Sequence, residues 1–115
     1  MSRGEESTPR RGEVWWVAFG PSAGGGIQKT RPAVIISNDT ANRFLNRVQV
    51  IPITSKVSKL YPGEAYVTVN GARHKAMADQ LTTASKGRLR ELMGKLGTNG
   101  ISAVERAIKV QIGLT

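Results

Sequence analysis

Lys29-Thr30-Arg31-Pro32-Ala33-Val34-Ile35-Ile36-Ser37 and Ile51-Pro52-Ile53-Thr54-Ser55 decide how this chain is read. Each is a short apolar run rich in β-branched residues, the composition of a buried strand. Each also carries a polar group at one end: Arg31 where the first run begins, Thr54 where the second finishes. An arginine at a strand mouth presents a rigid planar fork of donors that matches phosphate geometry. A threonine hydroxyl at the end of a neighbouring strand adds one more hydrogen bond to the same anion. Gly24-Gly25-Gly26 lead into the first run, and glycines permit a mobile loop beside such a site. With a formal net charge of +9, these features point to a phosphodiester bound on a small β-fold.

The flanking sequence extends the β reading. Glu13–Phe19, with Trp15 and Trp16, is strongly β-prone and is stopped by Gly20-Pro21. Trp15 and Trp16 alternate, so one faces the core and the other faces outward or a dimer contact. The loop of roughly ten residues that follows is longer than the usual hairpin connection. Arg31–Ser37 is the second strand. Asn38 or Asp39 can then cap a helical turn over residues 40–45, which would fold Phe44 and Leu45 inward. Val48–Thr54 is the third strand, and Pro52 within it argues for an edge position or a bulge. Ala65–Val69 closes at Asn70-Gly71, a strong hairpin signal, and residues 75–81 return as its partner. Residues 89–96 suit a strand or a helix. Ser102 to Glu105 has capping-box spacing, and Val104, Ala107, Ile108 and Ile112 give one apolar face, which predicts a helix over about 102–113.

Composition narrows the class. A chain of 115 residues without cysteine forms one domain that needs no disulfide and offers no thiolate nucleophile. Residues 1–10 read as a flexible lead-in to a single domain over 11–115. No apolar run has the length of a membrane span, and the first residues lack the apolar core of a signal peptide, so a cytoplasmic protein is expected. Seventeen Lys and Arg against eight Asp and Glu suggest a polyanionic partner. Lys29 with Arg31, Lys56 with Lys59, Arg73 with Lys75, and Lys86 with Arg88 and Arg90 all fall at loop–strand junctions. If those junctions share one face, a positive groove follows.

For chemistry, His74 is the single histidine and Asp39 and Asp79 the only aspartates, so neither a two-imidazole pair nor a carboxylate metal cluster is visible. No cofactor or metal is expected. Arg31 and Thr54 remain, and a guanidinium stays protonated near neutrality, which favours electrostatic stabilisation over proton abstraction.

Arg11-Gly12-Glu13-Val14-Trp15-Trp16-Val17 with Gly20-Pro21, Thr30–Ser37, Ile53-Thr54-Ser55 and Ala78-Asp79-Gln80-Leu81 resemble, in order and spacing, the MazF/PemK family of toxin ribonucleases. The resemblance implies a mainly β fold with α, an SH3-like small β-barrel of the MazF/PemK/CcdB type with a C-terminal helix. It also implies a homodimer, metal-independent cleavage of single-stranded RNA to 2′,3′-cyclic phosphate and 5′-hydroxyl ends, and neutralisation by a cognate antitoxin. It makes Arg31 and Thr54 the catalytic candidates. Lys29, Thr30, Ser55, Lys56, Gln80 and Lys86 are the candidates for RNA contact, although Gln80 can equally be structural and Lys86 a solvated loop lysine. Where the family often has a glutamate five positions before the arginine, this chain has Gly26. Two alternatives stand beside this reading. One is a gyrase-inhibiting toxin of the same fold, disfavoured because the chain has no tryptophan near Gly113-Leu114-Thr115. The other is a non-catalytic SH3-like RNA-binding module.

Overall fold

The computed structural model describes residues 8–20 and 29–114. The expected lead-in therefore lies mostly outside the described residues, and the Gly24-Gly25-Gly26 loop lies wholly outside them. Among the described residues, seven strands and two α-helices follow in the order β1 (Glu13–Phe19), β2 (Lys29–Ile35), α1 (Asp39–Phe44), β3 (Arg47–Thr54), β4 (Glu64–Val69), β5 (Ala72–Met77), β6 (Thr82–Ser85), β7 (Leu89–Lys95) and α2 (Thr98–Ile112). All pairings are antiparallel, in the spatial order β4-β5-β3-β2-β1-β7, with β6 also on β3.

Alternation along the central strands divides the interior in two. Val14, Val34, Ile51 and Ile53 face α2 and pack with Ala65, Val67, Val69, Leu96, Val104 and Ala107. Val17, Ala33, Ile35, Val48 and Val50 face the other way and pack with Ala84, Trp15, Phe19 and Leu89. Trp15 thus joins the second cluster, while Trp16 is half-buried. The β4–β5 hairpin turns at Asn70 (φ 52°) and Gly71 (φ 78°), the two left-handed residues of a type I′ turn. Asn70 Nδ2 then donates to Met93 O at 2.8 Å, so a side chain brings the ends of the strand order together into a small barrel-like fold.

Several expectations from the sequence are corrected. Pro52 is buried in β3, a central strand. Its missing N–H is tolerated because the second edge of β3 pairs with β6 only up to Val50 and with β5 only from Ile53. Phe44 and Leu45 do not fold inward; they are 73% and 40% exposed. The buried position of α1 goes instead to Asn42, whose amide donates to Ser37 O and Asp39 Oδ1. The return strand stops at Met77, and Ala78–Gln80 forms a 3₁₀ turn. The last helix begins at Thr98, with Gly97 as N-cap, so Gly100 lies within its first turn. Ser102 is inside the helix, and Glu105 is drawn instead to Arg11 Nη2 at 2.9 Å. Residues 89–95 form a strand.

Two polar clusters tie the outer segments down. Arg11 donates its backbone N–H to Asp39 Oδ1 (2.7 Å) and its Nε–H to Ile36 O (3.0 Å), joining the entry to β1 with the end of β2 and α2. Those bonds, led by the Arg11 N–H and opposed by some desolvation, hold the Asp39 carboxyl below its ordinary pKa. Lys75, expected to serve a positive groove, is buried. Its Nζ pairs with Glu64 Oε1 at 3.0 Å and donates to Lys59 O at 2.9 Å, which pins residues 55–63 beside β5.

Because both side chains of the Lys75–Glu64 pair are nearly closed to solvent, Lys75→Met is expected to lower unfolding free energy by about 3–5 kcal/mol, read by urea titration. Replacing both partners with apolar residues should recover most of the loss. A carboxyl with a depressed folded pKa stabilises the fold above its unfolded pKa, and that stability is lost as pH falls through the folded value. Asp39→Asn should therefore be less stable at neutral pH and lose less additional stability on acidification below about pH 4.

Candidate RNA-binding and active-site cleft

The smaller core cluster opens at one end into a cleft. Ala33 and Ile35 are fully buried on one face of β2, and Arg31 and Lys29 continue that face beyond the core into solvent. Val17↔Arg31, Ala18↔Thr30 and Phe19↔Lys29 are the last pairs of β1 with β2. The β2–β3 pairing ends at Ala33↔Pro52, two residues short of Arg31 on one strand and of Thr54 on the other, and Thr54 pairs instead with Lys75 of β5. The two polar ends singled out in the sequence therefore lie just beyond the last pair of two neighbouring strands.

A cleft of about 510 Å³ occupies this mouth, lined by Phe19, Gly20, Lys29, Arg31, Pro52, Gln80 and Thr82. Phe19 and Pro52 supply apolar walls, Gln80 and Thr82 neutral donors and acceptors, Lys29 and Arg31 the charge. No carboxylate is among the described lining residues. Neither Lys29 nor Arg31 makes an ion pair or side-chain hydrogen bond with another described residue, so both positive charges are available to a ligand.

Thr54 stands beside the cleft with a directed hydroxyl. Its Oγ1 accepts the Lys56 N–H at 3.2 Å, which occupies a lone pair and leaves the hydroxyl proton as a donor. The same bond turns exposed Ser55 and Lys56 out of the strand. Gln80 reaches the cleft from the 3₁₀ turn rather than from a strand, and its Nε2 makes only a long contact, 3.5 Å, with Met77 Sδ. Thr30 is exposed on the opposite face of β2 from Arg31. Lys86 opens the second 3₁₀ turn, Lys86–Arg88, with its N–H on Asn46 O, and is not among the lining residues. Thr82 and Phe19 line the cleft without having been singled out. Phe19 ended a predicted strand, whereas Thr82 lay one residue past the expected return strand and begins a strand of its own, β6. His74, half-buried on β5, has its Nδ1 3.2 Å from Ala72 O and lies outside the cleft. Among the described residues no three His, Cys, Asp or Glu side chains are grouped to hold a metal, and no helix is long and apolar enough to cross a membrane.

A threonine in this role is sensitive to its hydroxyl, not its methyl. Thr54→Val should strand the Lys56 N–H and remove the donor, weakening binding of a single-stranded RNA oligomer by roughly 1 kcal/mol, or about fivefold. Thr54→Ser should bind within about twofold of the parent, by the same anisotropy titration.

Comparison with known proteins identifies the family. The model of the PemK-like, MazF-like toxins of type II toxin–antitoxin systems matches residues 10–112. The endoribonuclease MazF9 of Mycobacterium tuberculosis is 32% identical over 91% of this chain and 97% of its own length. The endoribonuclease MazF of Staphylococcus saprophyticus is 31% identical over 91% of this chain and 92% of its own. Among solved structures, MazE–MazF from Deinococcus radiodurans superposes with a TM-score of 0.78 at 23% identity, covering 94% of this chain and 98% of that one. A mycobacterial endoribonuclease in complex with its cognate antitoxin superposes at 0.76 and 22% identity, covering 93% and 97%. With a family match across nearly the whole described fold, and relatives above 30% identity over nine-tenths of the sequence, the chain belongs to the PemK-like, MazF-like toxins of type II toxin–antitoxin systems.

Proposed function

We propose that this toxin is an endoribonuclease that cuts single-stranded RNA by internal transesterification in the Lys29–Arg31 cleft. One observation carries the proposal: Lys29 and Arg31 share a strand-end cleft with no carboxylate among its described lining residues, and Thr54, two residues beyond the lining Pro52, holds a hydroxyl whose oxygen accepts the Lys56 N–H and whose proton is left to donate. A phosphodiester fits that set, because its non-bridging oxygens take bidentate donors from Arg31 and a further hydrogen bond from Thr54. The substrate's 2′-oxygen attacks phosphorus, the bond to the 5′-oxygen breaks, and the products are a 2′,3′-cyclic phosphate and a 5′-hydroxyl. Negative charge grows on the phosphorane oxygens, and Arg31 and Thr54 stabilise it where it develops. Lys29 adds longer-range attraction, and Gln80 offers an amide to a base edge. Ser55 and Lys56, turned outward beside Thr54, extend the contact along the RNA backbone.

The catalytic unit is the domain over residues 11–115, acting as a homodimer in the cytoplasm without a metal or other cofactor. Its antagonist is a cognate antitoxin, the kind of partner seen with one structural neighbour. An acidic antitoxin segment would bind the same unpaired cations, so antitoxin and RNA exclude one another.

Cleavage should continue in excess EDTA and leave 2′,3′-cyclic phosphate ends; 3′-hydroxyl products would overturn the chemistry. Arg31→Ala should lower the single-turnover rate by about 10²-fold or more. Arg31→Lys should restore only part of it, since the ammonium keeps the charge without the fork. Affinity for RNA lacking the reactive 2′-hydroxyl should fall much less than the rate, because the interaction strengthens in the transition state. His74→Ala should cleave like the parent; an inactive but folded His74→Ala would place the chemistry elsewhere.

A further inference from the structure

Resting on the ribonuclease reading, we infer that Arg88 is a positioning residue, holding the Phe19–Gly20 wall of the cleft from behind and thereby the strand end that carries Lys29 and Arg31. The ladder between β1 and β7 ends at Val17↔Leu89, just after a register shift between Trp16 and Val17. Ala18, almost fully buried, therefore has no strand partner on that side. The Arg88 side chain replaces it: Nη1 donates to Ala18 O at 3.0 Å, one residue past the last backbone pair. A buried carbonyl left without a donor would carry a desolvation cost, so this bond keeps β1 extended to its end. The extension matters because the pairs Ala18↔Thr30 and Phe19↔Lys29 hold the start of β2, and Arg31 follows two residues later.

Gly20 makes the arrangement possible. A Cβ at position 20 would lie 2.9 to 3.1 Å from Nη2, Nη1 and Cζ of Arg88, so the guanidinium lies directly on the glycine. Gly20 lines the cleft and Arg88 does not, so the guanidinium backs the wall rather than facing the substrate. The Gly20 backbone is not left-handed, and an alanine there meets only the far end of a flexible side chain. Gly20→Ala thus displaces the Arg88 fork while leaving every charge in place.

The test compares parent, Arg88→Ala, Arg88→Lys, Gly20→Ala and the Gly20→Ala/Arg88→Ala double variant. The readouts are single-turnover RNA cleavage, affinity for RNA with 2′-deoxyribose at the scissile position, and amide hydrogen exchange. Arg88→Ala and Gly20→Ala should each slow cleavage by about tenfold to 10²-fold, the scale of a misplaced catalytic group, while affinity changes less than about threefold. Arg88→Lys, with charge but no fork, should also be slow. The double variant should be no slower than the slower single, because both remove one contact. Amides of residues 18–20 and 29–31 should exchange faster in each variant, with β4 and β5 unchanged. Should Arg88→Ala not fold, Gly20→Ala and Arg88→Lys decide alone. A parent that does not cut RNA overturns the ribonuclease reading, and the exchange data still judge the positioning role. A parent that cuts RNA beside variants that cut as fast, or unaltered exchange at residues 18–20 and 29–31, overturns the positioning role. So does an Arg88→Ala protein whose RNA affinity falls with a salt-dependence slope smaller by about one, since that marks a phosphate contact.

Discussion

The antiparallel pairing of β2 with β3 is the constraint from which the rest of this structure follows. Ala33, Val34 and Ile35 lie opposite Pro52, Ile51 and Val50, and all six are buried. With both faces covered, a slip of one residue would exchange the side chains assigned to the two clusters, so the register is fixed by burial. Fixing it in the core also fixes it at the ends. Arg31 and Thr54 lie two positions beyond the last paired residues, Ala33 and Pro52. The candidate cleft is the place where the central strands outrun their hydrophobic interior.

The cleft is floored by the buried ends of the central strands and open in charge. Ion pairs elsewhere are satisfied: Lys75 by Glu64, Arg11 by Glu105. Lys29 and Arg31 are left without such partners among the described residues, which costs little because they are exposed. Their mutual repulsion is relieved when a polyanion arrives. With no carboxylate among its described lining residues, the cleft offers phosphate and carboxylate alike an unopposed positive field.

How much of this was legible beforehand depended on whether a feature was local. The strands at Glu13–Phe19, around Ala33–Ile35 and around Val50–Ile53, and the Asn70-Gly71 turn, were readable because β-branched runs and a left-handed dipeptide carry their own signal. Arg31 and Thr54 stood out because each was the polar end of such a run. Pro52 was misread because the interruption of pairing between β6 and β5 is a property of strands that begin 20 and 30 residues further on. Lys75 was read as a free cation because nothing nearby announces Glu64 across the hairpin as its buried partner. The start of α2 was misplaced because Ser102 and Glu105 have capping-box spacing, while the structure commits Glu105 to Arg11, 94 positions away. Arg88 was counted only as charge, since its acceptor, Ala18 O, lies 70 positions earlier.

That separation has a consequence during synthesis. The cations at 29 and 31 emerge from the ribosome early, yet the strand that pairs with the outer edge of β1 does not exist until residues 89–95 have been translated. The clasp from Arg11 must wait for Glu105. At roughly 5–20 residues per second, several seconds separate the appearance of the reactive residues from the completion of the walls around them. Until those segments exist, β1 has a neighbour on one side only, so the wall beside Lys29 and Arg31 is assembled later than the residues that charge it.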